Sequence, residues 1–475
     1  MELLPALPGA ERNNWSWWRE DVQPLHGLPL RPLRGGINAD VVIVGGGFTG
    51  MWTALALRQR APHLTVAILE ANRLGDGASS KNGGMVHGYW GSLPANIRAM
   101  GVDNALDIAL LGSKAQTAFR EFATKSGRDV WWREEGNLRV ATCESQEHTL
   151  REFLKQCQGL GVEKFIQPVD RDHVRELINA PSFGNGIYFP EAGNVHPGKL
   201  IIELKKAVLE AGVQVFEDTP VTRIEEGFPH RVRCLKGVAI AKDVVLATNV
   251  ALAGIPSLVN KFSIFSSYAT MSNPTEEGLS NIGWSAPLGV SDARMFLHYF
   301  RRTKDHRVLM GSGSGPIGWG NKFDAASLRN DEQSFDRARR GMKHLLPSVA
   351  QAGFAKTWGW PIDVSSDRIP FFKTLKRRIH CGGGYSGHGV QATWIGGQCL
   401  ASLVLNTEDE WALSPFCKRT LPRLPPEPLK FIGANAIRWG ILNCEEAEQM
   451  EQNAPIPAKA FAALPSLLGL RIGVR

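Results

Sequence analysis

Three glycines and one carboxylate carry the first chemistry visible in this chain. Gly45, Gly47 and Gly50 stand in the spacing G-x-G-x-x-G, and Glu70 follows 20 residues after Gly50. That spacing suits a nucleotide diphosphate. Gly45 permits a tight turn, Gly47 lets backbone N–H groups approach a pyrophosphate, and Gly50 lets a helix pack closely on a strand. Phe48 and Thr49 fall where a helix would begin, with its positive dipole end facing the phosphates, and Glu70 can accept hydrogen bonds from ribose hydroxyls. The positioning elements are legible around them. Residues 39–45 read as a buried β-branched strand, 51–58 as a helix that must stop near Pro62, and 65–70 as a second strand ending in the acid.

The pattern occurs twice more, so on its own it decides little. Residues 313–318 follow a plausible strand but lead into Trp319-Gly320-Asn321-Lys322, which reads as a loop. Residues 382–387 open a helix over 390–405, yet 373–380 is largely basic and does not read as a strand, and no strand ending in an acid follows. A long loop follows Glu70 and contains Ala71, Arg73, Ala78, Ser79, Ser80, Asn82, Gly83, Gly84 and Met85. Its free N–H groups and short hydroxyls suit a ligand that continues past the pyrophosphate along a ribityl chain, which points to FAD rather than NAD.

The fingerprint, Glu70 and Gly77-Ala-Ser-Ser-Lys-Asn-Gly-Gly84 resemble the FAD-binding start of the D-amino-acid oxidase superfamily. Asn194-Val-His-Pro197, Val221 on the adenine side, Ala247-Thr248-Asn249, residues 358–370 and Gly384-Tyr385-Ser386-Gly387-His388-Gly389 resemble later elements of that family, over about 38–405 and again at 424–429. Within it, the chain is similar to glycine and sarcosine oxidases and, through residues 299–313, to γ-glutamylputrescine oxidase-like amine oxidases. The resemblance implies an α/β fold: a Rossmann-like FAD-binding domain of the glutathione-reductase type, interleaved with a mixed-sheet α+β substrate domain. It adds Val390 and Gln391 to the FAD contacts. It also implies oxidation of the C–N bond of an amine or amino-acid derivative, by hydride transfer to flavin N5 and hydrolysis of the imine, with electrons passing to O2 to give H2O2. Independently of the resemblance, the small residues 382–389 open a second helix N-terminus that can favour negative charge on the reduced ring.

The chain departs from the family at three places. Gln391 stands where sarcosine-oxidase-like members place a carboxylate-binding lysine, Leu309 falls near their oxygen-activating lysine, and Trp360 near the cysteine that links the flavin. These departures predict non-covalent FAD and leave open a dehydrogenase that uses another acceptor. The expected catalytic residues are His87, Tyr268, Tyr299, Trp360 and His388, with Tyr89 and Trp90 nearby and His298 facing away. An alkylammonium with pKa ~10 must lose a proton before hydride transfer, and an aromatic, low-dielectric wall disfavours the cation. Two other readings share the first motif: an aromatic hydroxylase, which would need a Gly-Asp element where Gly387-His388-Gly389 stands, and a flavin-binding protein without turnover.

The chain has 475 residues, 43% hydrophobic and 21% charged, enough for about three domain-sized units or two large interleaved ones. The expected division is a strap over 1–37, an FAD-binding domain from 38–92, 186–256 and 355–405, a substrate domain from 93–185 and 257–354, and a helical extension over 406–475. Helices are expected at 104–126, 146–160 and 429–448, strands at 265–271 and 294–311, and an apolar tail at 461–474. The strap, rich in proline and tryptophan, is expected to pack on the surface. The net charge of +8 is spread over short basic clusters, which argues for solubility rather than a nucleic-acid partner. Seven scattered cysteines form no C-x-x-C pair, the N-terminus has no basic n-region, and no apolar run reaches a membrane span of about 18 residues. A cytoplasmic protein with a small-molecule amine substrate is the expectation.

Overall fold

The computed structural model describes residues 1–3, 14–27, 29–320 and 322–467. Its first sheet is built on the strand Gly35–Val44, whose second half is buried on both faces. This strand lies parallel to Gly237–Leu246 on one side and Val66–Leu69 on the other. Gln214–Phe216 extends the sheet beyond Val66–Leu69, and Ile379–Gly383 extends it beyond Gly237–Leu246. Continuous runs of Val, Ile and Leu are what a parallel sheet covered on both faces requires.

The segment 373–380 is a correction to the sequence reading. Phe371–Lys376 and Ile379–Gly383 form an antiparallel hairpin closed at Arg377-Arg378, and Ile379–Gly383 joins the parallel sheet. The basic residues sit on the edge strand and in the turn, where water reaches them, while Ile379–Gly383 is buried throughout. Averaging over the window hid the alternation. As a result the third glycine loop leaves the same sheet as the first.

The second sheet has eight strands, in the order Phe354–Ser365, Phe262–Ser272, Val308–Ser312, His298–Arg302, Gly289–Asp292, Asn137–Val140, Gly186–Phe189 and Gln167–Val169. Only the Gly289–Asp292 and Asn137–Val140 pair runs parallel. The single strand expected over 294–311 is two strands, His298–Arg302 and Val308–Ser312, joined by a turn in which Thr303 and Arg307 are hydrogen-bonded. Helices Val102–Thr124 and Glu144–Cys157 accompany this part of the chain.

In the described part of the N-terminal segment, Ser16, Trp17, Trp18, Arg19 and Val22 are buried. Trp18 is fully buried in a cluster with Ala269, Met271, Leu309 and Trp358. Its Nε1–H donates to Asn82 O at 2.9 Å, and Arg19 pairs with Asp76 at 2.9 Å. Ser16 Oγ donates to Ser80 O. The tryptophans therefore face inward and hold the loop 76–82 from behind. Residues 4–13 and 28 of the expected strap lie outside the described residues. Trp18→Ala is expected to lower stability by about 3–5 kcal/mol, read from a denaturant midpoint at unchanged slope.

At the other end, helix Leu429–Gln449 packs against Ile456–Leu467 and docks through Ile437 and Ile441 on Phe296. Glu445 accepts from Phe296 N at 3.0 Å and Gln449 from Arg294 at 2.9 Å. The part of the expected apolar tail that is described, 461–467, belongs to the second of these helices, and 468–474 lies outside the described residues. Among the described residues, no helix is long and apolar enough to cross a membrane.

Candidate functional site

A cavity of about 530 Å³ runs between the two sheets, and the glycine loops open into it. Gly45, Gly47, Phe48 and Thr49 line one region of it. Gly45 has φ +104°, and a Cβ there would sit 2.5 Å from Ala247 O. Gly50 is set back from the wall, and its absent Cβ would fall 2.0 Å from Gly45 O, the close helix–strand approach expected of it. Helix Phe48–Arg60 starts at Gly47, which has no side chain to cap it; Ser79 Oγ takes the Phe48 N–H, and Gly47 and Thr49 line the cavity beside it. Glu70, Ala71, Val221, Thr248 and Asn249 line the same region. Glu70 accepts from Gly46 N at 2.6 Å and Asn72 N at 2.9 Å, and burial pushes its carboxyl up to about 7.

The loop after Glu70 divides by role. Ala78, Ser79, Asn82, Gly83 and Met85 line the cavity, and Ser79 Oγ accepts from Phe48 N at 2.9 Å. Arg73, Ser80 and Gly84 do not line it. Arg73 pairs with Glu217 at 2.8 Å, Ser80 bonds back to Gly77 O, and Gly84 O accepts from Val195 N at 2.8 Å. These three hold the loop's shape. Gly83 leaves room for the Tyr299 ring, which a Cβ would meet at 2.7 Å.

The third loop supplies Tyr385, Ser386, Gly387, His388, Gly389 and Val390 to the wall. Gly384 and Gln391 are set back from it: Gly384 N donates to Asp363, and Gln391 Nε2 donates to Gln116 Oε1 at 2.7 Å. Helix Gly389–Leu405 also begins without a side-chain cap. Two helix N-termini therefore open into one cavity. Thr49 and Tyr385 link the two loops by a 2.7 Å hydrogen bond between hydroxyls.

Of the expected catalytic residues, His87, Tyr299, Trp360 and His388 line the cavity, and the two histidine rings stand 5.5 Å apart, edge to face. Tyr268 does not line it. Its ring packs on Phe335 and its hydroxyl donates to Ser327 O at 2.6 Å, so it is a buried part of the scaffold. The misplacement has a simple cause: alternation puts Ser267 on the cavity face of that strand and Tyr268 on the opposite face. His298 faces away, paired with Asp292 at 2.8 Å.

Charged residues on the wall that were not singled out from sequence include Lys81, Arg139, Glu191 and Arg368. Lys81 is buried, with Nζ 4.1 Å from the Trp360 ring centroid and bonded to Asp76 O at 2.8 Å, and desolvation pushes it down to about 7. It stands inside the Ser-Ser-Lys-Asn-Gly-Gly motif, which was signal enough to find it. Arg139, Glu191 and Arg368 also line the cavity. Glu191 accepts from Trp90 Nε1 at 3.1 Å and from Ser113. Arg139 lies in a four-residue strand too short to show a pattern. Leu429, Gly433 and Ile437 bring the C-terminal helix to the rim.

The family described as FAD dependent oxidoreductase matches residues 40–403. The chain belongs to that family. It is 29% identical to gamma-glutamylputrescine oxidoreductase of Escherichia coli over 382 residues, covering 79% of this chain and 86% of that protein. It is 24% identical to glycine oxidase of Geobacillus kaustophilus over 388 residues, covering 79% of this chain and 96% of that protein. The crystal structure of glycine oxidase from Geobacillus kaustophilus superposes with a TM-score of 0.66 at 22% identity, over 82% of this chain and all of that one. The α/β fold with an interleaved mixed sheet, the flavoenzyme class and the FAD requirement read from the sequence are borne out.

Proposed function

We propose that this FAD-dependent oxidoreductase oxidises the C–N bond of an amine or amino-acid derivative and passes the electrons to O2. The observation that carries this reading is the one cavity onto which both helix N-termini, Glu70 and the aromatic wall converge. Its chemistry fits the cofactor. Gly47, without a side chain, leaves the start of helix Phe48–Arg60 accessible to a pyrophosphate, Glu70 offers acceptors for ribose hydroxyls, and Asn249 Oδ1 on the same wall is buried without a hydrogen-bond partner. When bound, FAD supplies the two-electron acceptor for a hydride leaving the carbon beside nitrogen.

The chain's own residues prepare the amine. Trp90, Phe265, Phe296, Tyr299 and Trp360 make a wall that disfavours an ammonium, whose pKa is ordinarily ~10. His87 is kept neutral by burial, and its Nδ1–H donates to Gly88 O at 3.3 Å, which makes Nε2 the proton-accepting nitrogen on the cavity wall. The seven cysteines are all absent from that wall, in keeping with FAD held non-covalently. Two relatives named for amine or amino-acid oxidation support the substrate class.

Anaerobic mixing with a panel of amines and N-alkyl amino acids tests the reading: flavin absorbance should bleach without NAD(P)H. Bleaching by NAD(P)H alone would indicate a hydroxylase, and no bleaching a binding protein. What supports O2 as acceptor is Lys81, a desolvated cation on the wall at a site other than the position near Leu309. Lys81→Met is expected to slow flavin reoxidation by O2 at least about tenfold, in a stopped-flow trace, with amine reduction changed less. Equal reoxidation in the variant would favour a dehydrogenase.

A further inference from the structure

We propose that the C-terminal helix Leu429–Gln449 builds an apolar subsite at the rim of the cavity, so that the amine oxidised here carries an extended alkyl or aryl substituent. The inference rests on the amine-oxidising reading above and adds a substrate class to it. The helix lies past residue 403, where the family match ends. Leu429, Lys430, Gly433, Ala434 and Ile437 line the cavity at i, i+1, i+4, i+5 and i+8, the spacing of one helix face. Four of the five are apolar, and the charge of the fifth is matched, since Lys430 pairs with Glu427 at 3.3 Å. Phe296 and Leu297, which precede the strand His298–Arg302, line the cavity as well, and Phe296 packs against Ile437.

One part of this face docks and the other overhangs the cavity. Ile437 and Ile441 are buried with Phe296, and polar bonds fix the helix there: Phe296 N–H donates to Glu445 at 3.0 Å, and Arg438 Nε–H donates to Ser314 O at 3.0 Å. The first two turns behave differently. Leu429 is 64% exposed, Gly433 and Ala434 are half-buried, and a Cβ on Gly433 would find no atom within 4 Å. A face that served docking alone would be filled by side chains of the opposite wall, as it is at Ile437. Small residues between Leu429 and Ile437 instead keep this end of the cavity wide. The reacting end is close. Alternation puts Leu297 and Tyr299 on one face, about 7 Å apart along extended chain, with His298 turned to Asp292 on the other. The Tyr299 ring lies against Gly83 of the loop that follows Glu70. An apolar chain held between Phe296 and the helix therefore points towards Tyr299 and the cofactor loop. Each methylene moved from water onto such a surface strengthens binding about fourfold.

The test has two arms. In the first, kcat/KM is compared for propylamine and hexylamine, and the wild type should favour hexylamine at least about tenfold. Ala434→Phe fills the space beside Gly433 and should lower that ratio at least about fivefold. Leu429→Asp places a charge at an exposed first-turn position that the helix dipole favours, so it carries the same test where Ala434→Phe does not fold. In the second arm, propan-1-ol and hexan-1-ol are titrated into the oxidised holoenzyme and read through the flavin spectrum. Hexan-1-ol should bind the wild type at least about tenfold more tightly, and the variants should lose most of that difference. Equal binding of the two alcohols to the wild type, or a chain-length preference that survives in a folded variant, overturns the proposal. If no amine bleaches the flavin, the amine-oxidising reading fails while the alcohol arm still decides whether the helix builds an apolar subsite.

Discussion

Gly50→Ala should yield a folded protein that purifies colourless, with FAD affinity lowered by at least about 100-fold, equivalent to about 2.8 kcal/mol. The added methyl would meet Gly45 O at 2.0 Å and Ile43 Cγ2 at 3.3 Å, and the first of these neighbours is backbone that cannot rotate aside. The helix Phe48–Arg60 must then lift from the strand Gly35–Val44, carrying its open N-terminus away from the cavity. Gly433→Ala is the matched control. It adds the same methyl in a helix, into open space, and should remain yellow with equal or slightly higher stability. Fluorescence titration of the apoproteins with FAD checks both. A yellow Gly50→Ala protein with wild-type affinity would mean that the fingerprint does not seat the pyrophosphate.

What was legible in the sequence, and what was not, follows from the range of the interactions involved. The turn Gly45–Gly50 and the acid at 70 are local: their roles depend on neighbours within one strand–helix–strand unit, and spacing alone conveys them. The chain's departures at Gln391 and Leu309 were also readable, because they are positions in a motif. Tyr268 was misplaced for want of one bit of information, the face of a strand, which depends on pairing with Phe354–Ser365 and Val308–Ser312 rather than on its own composition. The hairpin at 371–383 was missed because edge strands tolerate lysines that a composition window counts against them. Trp18 was read as surface because its partners, Leu309 and Trp358, lie about 300 residues away along the chain.

Glu70 ties the cofactor site to pH. Its carboxyl is raised from 4.5 to about 7, chiefly by burial, against the two N–H bonds from Gly46 and Asn72 that favour the anion. A folded-state value above the unfolded one means that the folded apoprotein holds the proton more tightly. The contribution of Glu70 to apoprotein stability is therefore full below about 4.5 and is lost as pH rises towards 7, by about 3 kcal/mol in all. Ribose hydroxyls donating to the carboxylate favour the anion, so FAD binding should expel this proton. Affinity for FAD should then rise with pH, by up to about tenfold per unit below 7, and level off above it. Lys81 loses its charge over the same window and pushes the other way, as a cation lost from the site of an anionic ligand. Comparison with Glu70→Gln isolates the acid, because glutamine keeps the shape and has no proton to lose. The variant should bind FAD roughly 10- to 100-fold more weakly at pH 8, with a dependence on pH that is flat or reversed below 7. An unchanged rise with pH in the variant would assign the proton to Asp363, the other buried carboxyl on the wall that burial raises to about 7.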